Sequence, residues 1–196
     1  MKRHVTRLLP LVAALALAGC ASVPRNTANS CAIFAQRDGL WTDWRGDAQR
    51  ASAESGVPVA VLMATIQAES NFDAHARPPR RWFLGFIPVG RISSAYGFAQ
   101  ALDGTWTEYQ TRTGRYGDRR NNFADAIRFI GWYHAESARR LGIAKDDAYR
   151  LYLAYHSGHV GYEKGVWRGR AEALRGAKRA QDMARRYAAQ LRQCRG

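Results

Sequence analysis

The chain has 196 residues, 46% of them hydrophobic, enough for one domain with a real core and too few for two of ordinary size. Thirty Lys and Arg stand against 16 Asp and Glu, a formal charge of +14, which directs attention to anionic polymers and surfaces as partners. There is no internal repeat and no low-complexity tract, so solenoid and disordered classes are excluded.

Lys2, Arg3 and Arg7 precede an apolar stretch over residues 8–18 that is too short to span a bilayer. It ends in Leu17-Ala18-Gly19-Cys20, which resembles the bacterial lipobox. Residues 1–19 are therefore expected to be a signal peptide and Cys20 the lipidated first residue of the mature chain. Ala21 follows the Cys rather than Asp, which by the same resemblance implies an outer-membrane lipoprotein facing the periplasm, held by acyl chains. Loss of Lys2, Arg3 and Arg7, with no acid lost beside them, leaves +11. Export removes nucleic acid as a partner and puts envelope polymers and phospholipid head groups in its place. Residues 20–30 read as the lipidated Cys and a short tether, and 31–196 as a single domain. Cys31 and Cys194 remain, one at each end of that domain. In an oxidising compartment they are expected to pair, closing a loop for which chain entropy allows about 4–5 kcal/mol as an upper figure.

Residues 44–55 are predicted helical, stopped by Gly56. Pro58 then opens PVAVLMATIQAESNF, with Val59, Leu62, Met63 and Ile66 at the spacing of a core-facing helix. Residues 77–90, RPPRRWFLGFIPVG, break that periodicity with three prolines and two glycines and read as a loop or short hairpin. Trp82, Phe83, Leu84, Phe86 and Ile87 beside Arg80 and Arg81 either form a binding surface, lid or membrane contact, or tuck back onto the core. Residues 93–106 start extended around Tyr96-Gly97 and are expected to turn helical through Gln100. Asn122 is a predicted cap for a helix over 123–141, and Asp146 or Asp147 for one over 148–155. Gly158 and Gly161 are expected to break the chain before a last helix over about 170–192. From Lys164 to Arg195, ten Lys or Arg face only Glu172 and Asp182, either a solvated face or a docking site for an anionic surface. With no run of strands, the predicted fold is mainly α.

The sequence offers no metal site and calls for no cofactor. His156-x-x-His159 lacks a following Glu and a Cys cluster, and there is no G-x-S-x-G elbow or phosphate-binding glycine loop. What remains is acid chemistry at Glu69. A carboxyl at the end of a nearly all-apolar helix has its charged form disfavoured, as a general acid near neutral pH requires. Read from that helix alone, the expectation is rather a Glu at a frayed helix end, pointing into water.

Three stretches in order resemble the soluble lytic transglycosylase domain of the lysozyme-like superfamily. Glu69-Ser70-Asn71-Phe72 is similar to its catalytic E-S-x-F segment. Tyr96-Gly97-Phe98-Ala99-Gln100 is similar to G-L-M-Q, with Ala99 where Met is usual. Ala154-Tyr155-His156-Ser157-Gly158 is similar to A-Y-N-x-G, with His156 in place of Asn. The resemblance implies a mainly α, lysozyme-like domain that cuts peptidoglycan glycan strands between N-acetylmuramic acid and N-acetylglucosamine and forms a 1,6-anhydro ring. It implies Glu69 as acid and then base. Tyr96, Gln100, Tyr155, His156 and one of Ser93 and Ser94 would contact substrate. A hydrolytic muramidase and a non-catalytic glycan-binding lipoprotein are the competing readings. Asp73, Asp103 and Asp125 are the carboxylates that a two-carboxylate hydrolase would draw on. The 31 residues from Glu69 to Gln100 exceed the family's usual interval, and the excess is the 77–90 segment.

Overall fold

The computed structural model describes residues 23–35 and 42–194. The expected signal peptide and Cys20 lie outside the described residues. Chain order is α1 (Ser30–Phe34), α2 (Trp44–Ser55), α3 (Val59–Ser70), β1 (Arg80–Phe83), β2 (Ile87–Arg91), α4 (Asp103–Thr113), α5 (Phe123–Leu141), α6 (Ala148–Ser157), α7 (His159–Glu163), a 3-10 turn (Val166–Gly169) and α8 (Ala171–Leu191). The fold is mainly α, as the sequence predicts.

The helix α3 is the axis. Every residue from Ala60 to Ile66 is buried, so it is enclosed on all sides rather than along one stripe. α8 lies against α3 and α6, and α5 lies against α2. Caps set the boundaries. The Asn122 side chain accepts from the Asp125 N–H at 3.1 Å, and Gly142 at φ 65° closes the other end of α5. Asp147, not Asp146, caps α6 by accepting from the Arg150 N–H at 3.0 Å. Gly56, at φ 70°, ends α2 in the left-handed conformation that glycine adopts most cheaply.

Three expectations need correction. The helix expected through Gln100 starts only at Asp103. Phe98 and Ala99 are buried in the core, Tyr96 bridges Ala101, and Gln100 itself sits at φ 47°, so the chain turns here instead of coiling. Gly161 does not break the chain but lies within α7. Part of the expected tether is docked: the Gln190 amide donates to the Ala28 carbonyl at 3.1 Å, the Ser30 N–H donates to Gln190 at 2.8 Å, and the Tyr187 hydroxyl donates to the Thr27 carbonyl. Those bonds hold residues 27–30 on α8. Nearby, Cys31 and Cys194 are joined, with 5.6 Å between their Cα atoms.

Residues 77–90 resolve into the antiparallel pair β1–β2. Its apolar side chains do not tuck back: Trp82, Phe83, Leu84, Phe86, Ile87 and Val89 are all exposed.

Candidate active site

Glu69 occupies the last turn of α3, and the residues after it hold that turn in place. Asn71 (φ 52°) and Phe72 (φ 64°) are consecutive left-handed residues without being glycine, a conformation that costs roughly 1 kcal/mol or more each. Burial of Phe72 offsets that cost. It is 1% exposed and packs 6.1 Å from the Trp44 ring, which stacks on Phe123 at 4.2 Å with Phe98 edge-on at 5.6 Å. The E-S-x-F spacing thus has a physical meaning, since the Phe anchors the turn that aims the Glu.

Glu69 stays partly open to solvent as a residue, yet its Oε1 is closed off from water with no hydrogen-bond partner. Burial raises its pKa from 4.5 to about 7, while the Tyr152 hydroxyl and, by charge alone, Arg179 pull the other way. Tyr152 comes from α6 and Arg179 from α8, so the three helices α3, α6 and α8 meet on this carboxyl. Tyr152 fits because α8 carries Gly176 there: a Cβ at that position would stand 2.6 Å from Tyr152 Cε1. A mid-helix glycine costs about 1 kcal/mol against alanine, and here it makes room for the ring. Tyr152, Gly176 and Arg179 are absent from the sequence reading, because no local pattern marks a contact across about a hundred residues.

Among the described residues, no carboxylate is one of the groups that shift Glu69, and the three suspects are engaged elsewhere. Asp73 accepts from the His75 N–H at 2.8 Å, Asp103 pairs with Arg120 at 2.7 Å, and Asp125 accepts from the Arg119 N–H at 3.0 Å and pairs with Arg128 at 3.4 Å.

Tyr155 and His156 line a cleft of about 230 Å³ together with Gln100, Tyr133 and Ser157; Glu69 is not in that lining, and what links it to the cleft is its charge acting on Tyr155. The Tyr155 hydroxyl donates to the Ala99 carbonyl at 2.5 Å, which ties α6 to the turn at 97–100. Its pKa is pushed well up, by burial first and then by the charge of Glu69. His156 is exposed at the rim, and desolvation still lowers its pKa. The Ser157 Oγ, on the cleft wall, has no partner. His159 is held apart from His156, stacked on Tyr133 at 4.5 Å with Nε2 2.9 Å from the Ser137 hydroxyl. Under the cleft, His134 is fully buried and 2.9 Å from Thr65 Oγ1. Its pKa drops to about 3 by burial and then by the neighbouring His159, so it stays neutral.

The remaining predicted residues have structural partners. Both Gln100 amide hydrogens are used, on the Ala76 carbonyl at 2.9 Å and the Gly97 carbonyl at 2.8 Å, so Gln100 locks the turn. Gly97 (φ 74°) is required there, since a Cβ would fall 2.1 Å from the Arg120 carbonyl oxygen. The Ser94 hydroxyl accepts from the Asp103 N–H at 3.1 Å and so caps α4, and the Ser93 hydroxyl accepts from the Ala95 N–H at 3.4 Å. The Tyr96 hydroxyl lies 3.0 Å from His75 Nδ1, with the Arg77 guanidinium 4.2 Å over its ring.

No curated protein matches the chain. The family model described as the transglycosylase SLT domain matches it over residues 8–194, which span all three segments around Glu69, Gln100 and Tyr155, and the chain belongs to that family, with its lysozyme-like, mainly α fold.

Proposed function

We propose that this protein is a lytic transglycosylase that cleaves the β-1,4 bond between N-acetylmuramic acid and N-acetylglucosamine, with Glu69 as the sole acid–base residue. The supporting observation is a carboxyl with one oxygen closed to water, a pKa of about 7 and no second carboxylate among its perturbing neighbours. At neutral pH much of it is protonated and able to donate. Its proton passes to the glycosidic oxygen as the C1–O bond breaks, and the substrate's own acetamido oxygen stabilises C1. The resulting carboxylate takes the proton of the muramoyl 6-hydroxyl as that oxygen closes on C1. One group serving twice in this way suits the arrangement better than a hydrolase's two carboxylates. His156 binds sugar at the rim of the cleft, and Tyr155 and Gln100 hold its walls. The chain is read as an exported lipoprotein, acylated at Cys20 and facing the periplasm from the outer membrane.

The test is digestion of purified sacculi followed by mass spectrometry of the fragments. Wild type should release products ending in 1,6-anhydromuramic acid, and Glu69→Gln should lower the rate by roughly 10²–10⁴-fold. Reducing muramic ends would instead indicate a muramidase. Equal clearance by the two proteins rules out catalysis at Glu69. If neither clears sacculi but both pellet with them, the protein is a glycan-binding module.

A further inference from the structure

From the β1–β2 hairpin we infer a second function, independent of the glycan chemistry: the hairpin inserts its tip into an anionic lipid bilayer. Every residue of β1, and all of β2 except the partly exposed Arg91, is exposed. Phe83 pairs with Ile87, and Trp82 with Pro88. Successive residues of a strand point to opposite faces, so this ribbon is apolar on both. A lid closing over a cleft, or a protein docking on a sheet face, covers one side and leaves the other wet. The medium that surrounds such a tip on every side is acyl chain.

Other features agree. The tip turn is Leu84-Gly85, at φ 52° and 80°, with the Phe86 N–H donating to the Phe83 carbonyl at 3.3 Å. A turn with both central residues left-handed favours Asn or Asp before the Gly. Leu84 is instead bulky, left-handed and 69% exposed, a local rule broken at the point that would enter the membrane first. Strand addition by a peptide is obstructed by Pro88 within β2 and by the irregular register between Arg80 and Trp82.

The charges form a collar. Arg80 and Arg91 pair at the base of the hairpin with Arg81 next in β1, Arg77 stands just before β1 with its guanidinium over Tyr96, and residues 74–102 contain no Asp or Glu. Arg80 and Arg91 are direct cross-strand partners, and like charges so placed repel in water. Phosphate head groups would relieve that repulsion. Beyond the collar, Trp82 to Leu84 reach about 10 Å at strand spacing, comparable with the roughly 5–10 Å to which interfacial segments enter a bilayer. Trp82, nearest the collar, is the residue type that favours the boundary.

The hairpin springs from the stretch that also holds the cleft wall. Gln100 bonds to the Ala76 carbonyl, and the Arg91 guanidinium donates to the Pro78 carbonyl at 2.6 Å. Insertion would therefore fix the orientation of the cleft against the lipid surface.

The test uses the full chain with Cys20→Ser, so that no acyl group contributes, and vesicles of phosphatidylglycerol and phosphatidylcholine or of phosphatidylcholine alone. Binding is read by co-sedimentation, and depth by quenching of tryptophan fluorescence with brominated lipid. Tighter binding to the anionic vesicles, about tenfold or more weaker for Leu84→Asp/Phe86→Asp, supports insertion, as does quenching that is lost in Trp82→Tyr. Arg80→Gln/Arg91→Gln should erase most of the preference for anionic lipid. Equal vesicle binding by the wild-type and Leu84→Asp/Phe86→Asp proteins overturns the proposal, as does quenching that persists in Trp82→Tyr. A hairpin-dependent protein partner found alongside such equal binding would assign the surface to that partner instead.

Discussion

Glu136 and Glu69 are helical glutamates with opposite surroundings. Glu136, on α5, has 14% of its side-chain surface open and is met by Arg139 at 2.7 Å, Arg112 at 3.2 Å and Arg140 at 3.7 Å. The Arg139 hydrogen bond is the foremost cause holding its pKa below the usual carboxylate range. Glu69 receives no such cover, and burial drives its pKa to about 7. With 30 Lys and Arg in the chain, the bare carboxyl is not explained by a shortage of cations. The difference teaches that a strongly basic protein can still bury one acid without an ion pair, and that this burial is what raises its pKa.

The largest disruption of this contrast comes from Phe72→Ala. Emptying the aromatic nest should cost about 3–5 kcal/mol in urea unfolding. It should also let water reach Glu69, moving the alkaline limb of the pH–rate profile down toward 4.5.

Next come the two glutamates themselves, whose amide variants should respond to pH with opposite sign. The folded pKa of Glu69 lies above its unfolded value, so the native chain loses stability as pH rises from about 4.5 to about 7. Glu69→Gln should therefore be more stable than wild type at pH 8, by up to about 3 kcal/mol, and equal to it below pH 4.5. The folded pKa of Glu136 is depressed, so its contribution is present above the unfolded pKa and is lost as pH falls through the folded one. Glu136→Gln should cost roughly 0.5–1 kcal/mol at pH 7 and nothing in strong acid. Denaturant titrations at pH 4 and 8 check Glu69→Gln, and titrations at pH 7 and in strong acid, below the folded pKa of Glu136, check Glu136→Gln. Parallel behaviour of the two variants would abolish the distinction.

The smallest effect sharpens it. Tyr152 lowers the pKa of Glu69, so Tyr152→Phe should shift the alkaline limb of the pH–rate profile upward while stability stays within about 1 kcal/mol. Gly176→Ala, which forces the same ring aside, should shift the limb in the same direction.

Much of this scaffold is legible in the sequence because its signals are local. Asn122 and Gly56 mark helix ends at their own positions, and the apolar spacing from Val59 to Ile66 shows a buried helix before any partner is known. The environment of Glu69 is not legible in that way. It depends on Tyr152 and Arg179, which approach only when α6 and α8 fold back on α3. The motif points to Gln100 as a sugar ligand, and what it does not reveal is that the left-handed turn at 97–100 uses the amide hydrogens of Gln100 on backbone carbonyls. The hairpin is ambiguous for another reason: Trp82, Phe83 and Leu84 spell the same composition whether packed or exposed, and only the exposed geometry separates the two.

The position of α8 also sets an order of events. Gly176 and Arg179 belong to the last helix, and the Cys31–Cys194 bond that ties its end to α1 spans a sequence separation of 163. Contacts of such long range form late. A nascent chain halted before Ala171 would lack the α8 wall beside Glu69, and with it part of the burial that raises the pKa of that carboxyl. The burial of Glu69 is therefore complete only once nearly the whole polypeptide has been delivered.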